Sequence, residues 1–318
     1  MLYRLLKIPA AISFWMYCRR LRVTNKAMLA SKGPLLIASN HPNSFLDAIV
    51  ISSLFKKPVY SLARGDAFKN KWVAMLLRSL KMLPVYRASE GVENMEHNYQ
   101  TFEACKEIFK NDGIVLIFSE GRCVNEWHLR PLMKGTARLA ISSWEEGIKL
   151  AVLPAGLNYQ SFSKFGKNID LNFGEFIYKK DFPGDNGFGK SVNAFNNHLQ
   201  KALEPLVYEI DKNDQEMLEK KMRAPVSSLT RMCLQIPAIL GALLHFPMYL
   251  SAKKIASKKA YDSDHFDSIL FGILFLGYPV YLVPIALIVD VCTSGYYWLL
   301  TALMPFTAWC YMMVKKQF

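Results

Sequence analysis

Paired cysteines are missing from this chain. Its six cysteines, Cys18, Cys105, Cys123, Cys233, Cys292 and Cys310, form no C-x-x-C pair, and three lie in or beside apolar stretches, where a thiol packs as a small hydrophobe. A disulfide framework and a zinc site are therefore not expected, and a reducing, cytosolic setting fits better. Metal-ligand spacing is missing as well: His97, His128 and His198 stand in polar contexts as solvated side chains, so neither a metal nor a bound cofactor is expected. Residues 8–18 are too short an apolar run to span a bilayer and offer no small-residue cleavage site, so the N-terminus does not read as a secretory signal. There is no internal repeat and no low-complexity segment. Acid is scarce: 39 Lys and Arg face 26 Asp and Glu, a net charge of +13 that suits a phosphate-bearing partner. No nucleic-acid recognition motif accompanies that charge, so nucleic acid is not the expected partner, which leaves anionic lipid or a phosphorylated metabolite.

What is present is unevenly distributed. Residues 1–28 read as an amphipathic helix, with Leu2, Leu5, Leu6 and Ile8 opposite Arg4, Lys7, Arg19, Arg20 and Arg22. The cluster Phe14, Trp15 and Tyr17 suits a headgroup interface. From residue 34 onward strands alternate with helices: strands over 34–38, 59–63, 113–118, 150–158 and 169–177, helices over 45–55, 71–80, 92–111 and 134–144. This order predicts an α/β domain with a mostly parallel sheet flanked by helices. An amphipathic helix over 188–222 runs into a charged linker. Beyond Arg231 come three apolar stretches, 233–250, 269–289 and 296–314, each near the length of a membrane span. Lys220, Lys221, Arg223 and Arg231 precede the first stretch, and Lys253, Lys254, Lys258 and Lys259 follow it. A spanning 233–250 would put these basic flanks on opposite sides, against the positive-inside rule. With Pro237 and Pro247 inside it, this stretch is expected to enter and return or to lie in the interface, leaving 269–289 and 296–314 as a two-span hairpin; three full spans are the alternative.

The chemistry gathers at Asn40-His41-Pro42-Asn43-Ser44-Phe45-Leu46-Asp47, where a buried strand gives way to a helix. A histidine and a carboxylate flanking such a turn are the parts needed to hold an imidazole as a general base. Six positions along a helix rotate about 600°, which would separate the two side chains, so His41 must precede the helix.

This stretch resembles the first motif of the glycerolipid acyltransferases, the lysophosphatidate and glycerol-3-phosphate acyltransferase superfamily. The usual pattern there has four residues between His and Asp; here there are five, a variant found among glycerol-3-phosphate acyltransferases that carry later membrane segments. Ala63-Arg64-Gly65-Asp66 and Leu83-Pro84-Val85-Tyr86-Arg87 resemble the second block, with Arg87 at the position that binds the acceptor phosphate. Phe118-Ser119-Glu120-Gly121-Arg122 resembles the third, with serine for the usual proline and no threonine before the arginine. Met133-Lys134-Gly135-Thr136-Ala137 resembles its continuation. Val152-Leu153-Pro154-Ala155-Gly156-Leu157 resembles the fourth, an apolar block shaping the acyl-binding wall.

The resemblance implies a membrane-bound O-acyltransferase of phospholipid biosynthesis. It would use acyl-ACP or acyl-CoA as donor and glycerol 3-phosphate or lysophosphatidate as acceptor, with His41 and Asp47 catalytic. Arg87, Glu120, Gly121 and Arg122 would serve the acceptor phosphate, and Asn40 and Pro154 the acyl pocket or its support. A lyso-aminolipid acyltransferase and a non-catalytic lipid-binding scaffold are the alternatives. The expected organisation is an interfacial segment at 1–28, an acyltransferase domain at 29–212, a charged linker at 213–232 and a membrane region at 233–318. The expected location is the bacterial inner membrane, with the catalytic domain on the cytoplasmic face.

Overall fold

The computed structural model describes residues 2–86, 93–182, 187–260, 263–293 and 297–318. Helix α1 (Leu2–Tyr17) leads into β1 (Cys18–Thr24), followed by β2 (Leu35–Ser39), α2 (Phe45–Leu54), β3 (Val59–Arg64), α3 (Lys71–Ser79), β4 (Met82–Val85), α4 (Glu93–Lys110) and β5 (Ile114–Phe118). Then come α5 (Gly135–Glu145), β6 (Ala151–Tyr159), β7 (Lys167–Phe173), α6 (Phe188–Leu203), α7 (Gln215–Met222) and three long helices, α8 (Ser228–Ala260), α9 (Phe266–Thr293) and α10 (Tyr297–Val314). The strands form one sheet in the order β1-β7-β6-β2-β5-β3-β4, parallel throughout except for the β6–β7 pair.

Strand β2 lies at the centre, between β5 and β6, and all five of its residues are buried. Side chains alternate across a strand, so Leu35 and Ile37 join a core with α2, α8 and α9, while Leu36 and Ala38 join one with α5 and α6 on the other face. A strand covered on both faces reads as a continuous apolar run, which is why it was visible in the sequence.

Four segments differ from expectation. The N-terminal helix stops at Tyr17, and Cys18–Thr24 is an outer strand parallel to β7. The arginines that look like a cationic helix face instead reach the buried Asp170 of β7, from Arg22 Nη2 at 2.5 Å and from Arg20 Nη2 at 3.4 Å. Met82–Val85 forms the opposite edge strand, where Pro84 costs little because an edge does not need every N–H. The expected linker at 213–232 contains α7, docked through buried Leu218 and Met222. Finally, the stretch 233–250 does not double back. Helix α8 runs unbroken through Pro237 and Pro247.

Both flanks of α8 are nevertheless tied to the α/β domain. Before it, Met222 O accepts from Asn168 Nδ2 at 2.8 Å and Arg223 O from Arg20 at 3.3 Å; after it, Asp264 Oδ1 accepts from Asn125 N at 2.9 Å. Helices α9 and α10 likewise leave from and return to that domain: Arg19 donates to Met312 O, and Lys315 Nζ to Phe165 O at 2.8 Å. By length and composition α8 and α9 are each apolar enough to cross a membrane. Their outward faces (Ile236, Leu243 and Phe246 on α8; Leu276, Val280 and Leu287 on α9) are exposed apolar surface, as are Leu5, Ile8, Ile12 and Trp15 on α1.

Backbone contact is tight at β6. A Cβ on Gly156 of β6 would stand 2.4 Å from Leu206 O, a main-chain atom with no rotamer to yield. Gly156→Ala is expected to lower stability by about 1–3 kcal/mol through overpacking, measurable as a lower denaturation midpoint.

Candidate active site

The carboxyl ends of β2 and β5 lie side by side, Ser39 opposite Phe118, and a polar turn leaves each. This is where open α/β sheets place their ligands. His41 follows β2 by two residues, and Asp47 sits in the first turn of α2. The extra residue between them is absorbed before the helix. His41 Nδ1 donates to Asp47 Oδ2 across 2.8 Å. That same oxygen accepts Asn43 N at 2.8 Å, and Asp47 Oδ1 accepts the Tyr159 hydroxyl at 2.7 Å. Three donors therefore converge on one fully buried carboxylate. Phe118 lies flat against the imidazole, with ring centroids 4.0 Å apart and planes within 7°. With Nδ1 engaged by the carboxylate, Nε2 is the ring nitrogen that can serve as an acceptor, on a side chain 18% exposed.

The turn after β5 braces the turn after β2, residue by residue. Glu120 accepts His41 N on one oxygen (2.8 Å) and Arg130 N on the other (3.0 Å). Val124 N donates to His41 O at 3.2 Å, Asn125 Nδ2 to Pro42 O at 2.7 Å, and Ser44 N to Cys123 Sγ at 2.9 Å. Burial raises the carboxyls of Asp47 and Glu120 above the ordinary range, against opposing hydrogen bonds from His41 and from the Arg130 and His41 main chain. Burial likewise raises Cys123, with the nearby Asp47 adding to it, so the sulfur is a thiol spent on packing.

Of the residues expected from sequence, His41, Asp47, Glu120 and Asn40 come together. Glu120, however, is buried and faces the His41 main chain, so it shapes the turn and does not reach for a phosphate; a carboxylate would repel one. Gly121 occupies the exposed tip of its turn at φ +70°, a left-handed conformation suited to glycine, and Arg122 is exposed beside it. Asn40 makes a two-way bond to β6: its Nδ2 donates to Leu157 O at 3.0 Å and its Oδ1 accepts Leu157 N at 2.8 Å. Pro154 is buried in β6 opposite Ala38, a framework position behind the site. Arg87 lies outside the described residues. Tyr159 was not anticipated, although it ends the strand of the fourth motif, and neither was Asn43. Among the described residues, no three His, Cys, Asp or Glu side chains gather as metal ligands would.

A histidine hydrogen-bonded to a buried carboxylate at the carboxyl edge of the sheet is an arrangement that can activate a hydroxyl. Residues 20–158 match the family model described as Acyltransferase. The 1-acyl-sn-glycerol-3-phosphate acyltransferase of Bacillus subtilis (strain 168) is 24% identical over 187 residues, spanning 57% of this chain and 86% of its own. The crystal structure of the 1-acyl-sn-glycerophosphate (LPA) acyltransferase PlsC from Thermotoga maritima aligns with a TM-score of 0.47 at 14% identity, covering 70% of this chain and 81% of that one. Over residues 20–158 the chain is similar to the acyltransferases, and it is an acyltransferase.

Proposed function

We propose that this enzyme moves a fatty acyl group from a thioester donor, acyl-ACP or acyl-CoA, to a hydroxyl of a phosphorylated glycerol, with lysophosphatidate as the first acceptor to try. The observation that carries the chemistry is the Tyr159–Asp47–His41 chain of hydrogen bonds, which fixes one ring nitrogen and offers the other. Nε2 takes the acceptor's hydroxyl proton as the oxygen attacks the thioester carbonyl. The tetrahedral intermediate collapses with loss of the thiolate, which receives that proton from the imidazolium. Asp47 stabilises the imidazolium between these steps, and no acyl-enzyme forms. Arg122, exposed by Gly121, and Arg87 are assigned to the acceptor phosphate, where a guanidinium offers paired donors.

The activity printed for the Bacillus subtilis relative supports lysophosphatidate. The five-residue spacing supports glycerol 3-phosphate as the competing acceptor. Placement at a bilayer is supported by the exposed apolar faces of α1, α8 and α9. Helix α8 is about 50 Å long at 1.5 Å per residue, so crossing a hydrocarbon core of about 30 Å would carry its two flanks to opposite sides. Both flanks sit on one domain, which favours α8 lying along the interface, with α9 and α10 as the membrane hairpin and the α/β domain on the cytoplasmic side.

Purified enzyme in lipid nanodiscs, offered both acceptors with both donor types, tests the assignment. The expected result is phosphatidate from lysophosphatidate. Product from glycerol 3-phosphate alone would move the acceptor assignment, and product from neither would overturn a phosphorylated glycerol acceptor.

A further inference from the structure

We infer that the start of α9, more than 200 residues downstream, is a positioning element of the active site: Ser268 and Asp267 of its first turn, with His265 just before it, hold the turn that carries His41 and set the height of Asp47 against it. The inference rests on the acyl-transfer reading above.

The turn needs holding. Ser44 adopts φ 54°, ψ −142°, a conformation that residues with a side chain enter only under strain and keep only when surrounding contacts over-determine it. Ser44 is also the N-cap of α2, yet its side chain makes no capping bond. Its hydroxyl is hydrogen-bonded instead to His265 Nδ1 at 2.8 Å. The cap comes from elsewhere. Ser268 Oγ, fully buried, accepts Leu46 N at 3.0 Å, one of the main-chain donors that a helix start leaves without an internal partner, and donates to Asn43 O at 2.8 Å. One hydroxyl thus joins the turn to the helix on either side of the strained residue.

Asn43 is gripped from the same direction. Its Nδ2 donates to Asp267 Oδ2 at 2.6 Å, while its main-chain N–H is held by Asp47. Asp267 in turn is fixed by Lys167 of β7 and the Tyr17 hydroxyl of α1, all within the buried interior. The His41–Asp47 bond is therefore referenced to α9 as well as to the sheet. The longer spacing between the two residues is accommodated because a helix outside the α/β domain supplies the missing cap.

The test uses the full-length protein in nanodiscs. Ser268→Ala removes both bonds with little change in volume, and Ser268→Thr keeps a hydroxyl. Ser268→Ala is expected to lower kcat by about 10–100-fold, the scale of a small misplacement of reacting groups, with KM for both substrates unchanged. Ser268→Thr is expected to restore most of that loss. A kcat within twofold of wild type for Ser268→Ala, or an equal loss in both variants, would overturn the inference.

If Ser268→Ala does not fold, a second pair decides. Lys167→Met with Asp267→Asn and Lys167→Met with Asp267→Leu both lack the buried charges, but only the first offers Asn43 an oxygen. The first is expected to turn over at least about tenfold faster; equal rates would overturn the inference. His41→Ala is run alongside. If it is inactive while Ser268→Ala is unaffected, only the positioning role fails; if His41→Ala remains active, the base assignment itself fails.

Discussion

His41→Ala is expected to leave a folded protein with kcat for acyl transfer reduced by about 10³-fold or more, within the range that a positioned general base supplies. Two features separate the loss of chemistry from a loss of structure. The main-chain groups of His41 hold the turn, its N–H to Glu120 and its carbonyl from Val124, and both survive truncation of the side chain. The side chain itself is partly open to solvent and packs on a single ring, Phe118, so little core is removed. Turnover measured beside a thermal melt checks both halves. A variant within tenfold of wild type, or one whose inactivity is matched by loss of the folding transition, would remove His41 from the chemistry.

Asp47→Asn is the second large effect, and it should separate activity from stability. The carboxylate receives His41 Nδ1 and Asn43 N on one oxygen and the Tyr159 hydroxyl on the other. An amide can keep its oxygen towards His41 and Asn43 while its NH₂ faces Tyr159, whose hydroxyl is able to accept. The geometry is then largely retained, but the negative charge that stabilises the imidazolium is gone. The expected fall in kcat is about 10³–10⁴-fold, the scale known for the equivalent change in serine-protease triads.

Stability should move the other way. Burial raises the Asp47 carboxyl, so across the window above the ordinary carboxylate range the folded protein binds more protons than the unfolded chain. Its stability therefore falls as pH rises through that window. The asparagine variant lacks this contribution and should be at least as stable at neutral pH, with a shallower decline from acid to neutral. Denaturant melts over that range measure it. A variant that loses stability and activity together would mean that Asp47 is a structural carboxylate.

The core of this molecule was legible because strands covered on both faces leave uninterrupted apolar runs; β2, β5 and β6 are of this kind. His41 and Asp47 are legible as neighbours because a turn-to-helix junction is a local event. Other features depend on partners far away in the chain. Arg20 and Arg22 look like the polar face of a helix until Asp170, 148–150 residues on, is known to lie beside them. Glu120 looks like part of an anion site until its two oxygens are seen to be taken by the main-chain N–H groups of His41 and Arg130. Tyr159 is one aromatic residue at a strand end, unremarked until the pairing of β2 with β6 brings it over α2. The prolines of α8 argue for a broken segment, yet the helix runs through both, and it meets α10 where Gly241 lies close to Thr307 O.

Three distant segments converge on Asp267, bringing Tyr17, Asn43 and Lys167 to one carboxylate. This convergence imposes an order on the birth of the enzyme. The strands that frame His41 have all been made once residue 159 is added, yet the turn gains its last fastenings only when residues 264–268 follow. Newly made chains that have completed the sheet but not reached α9 should hold His41 loosely. The turn that carries His41 is thus completed late in synthesis, when the first turn of α9 is made.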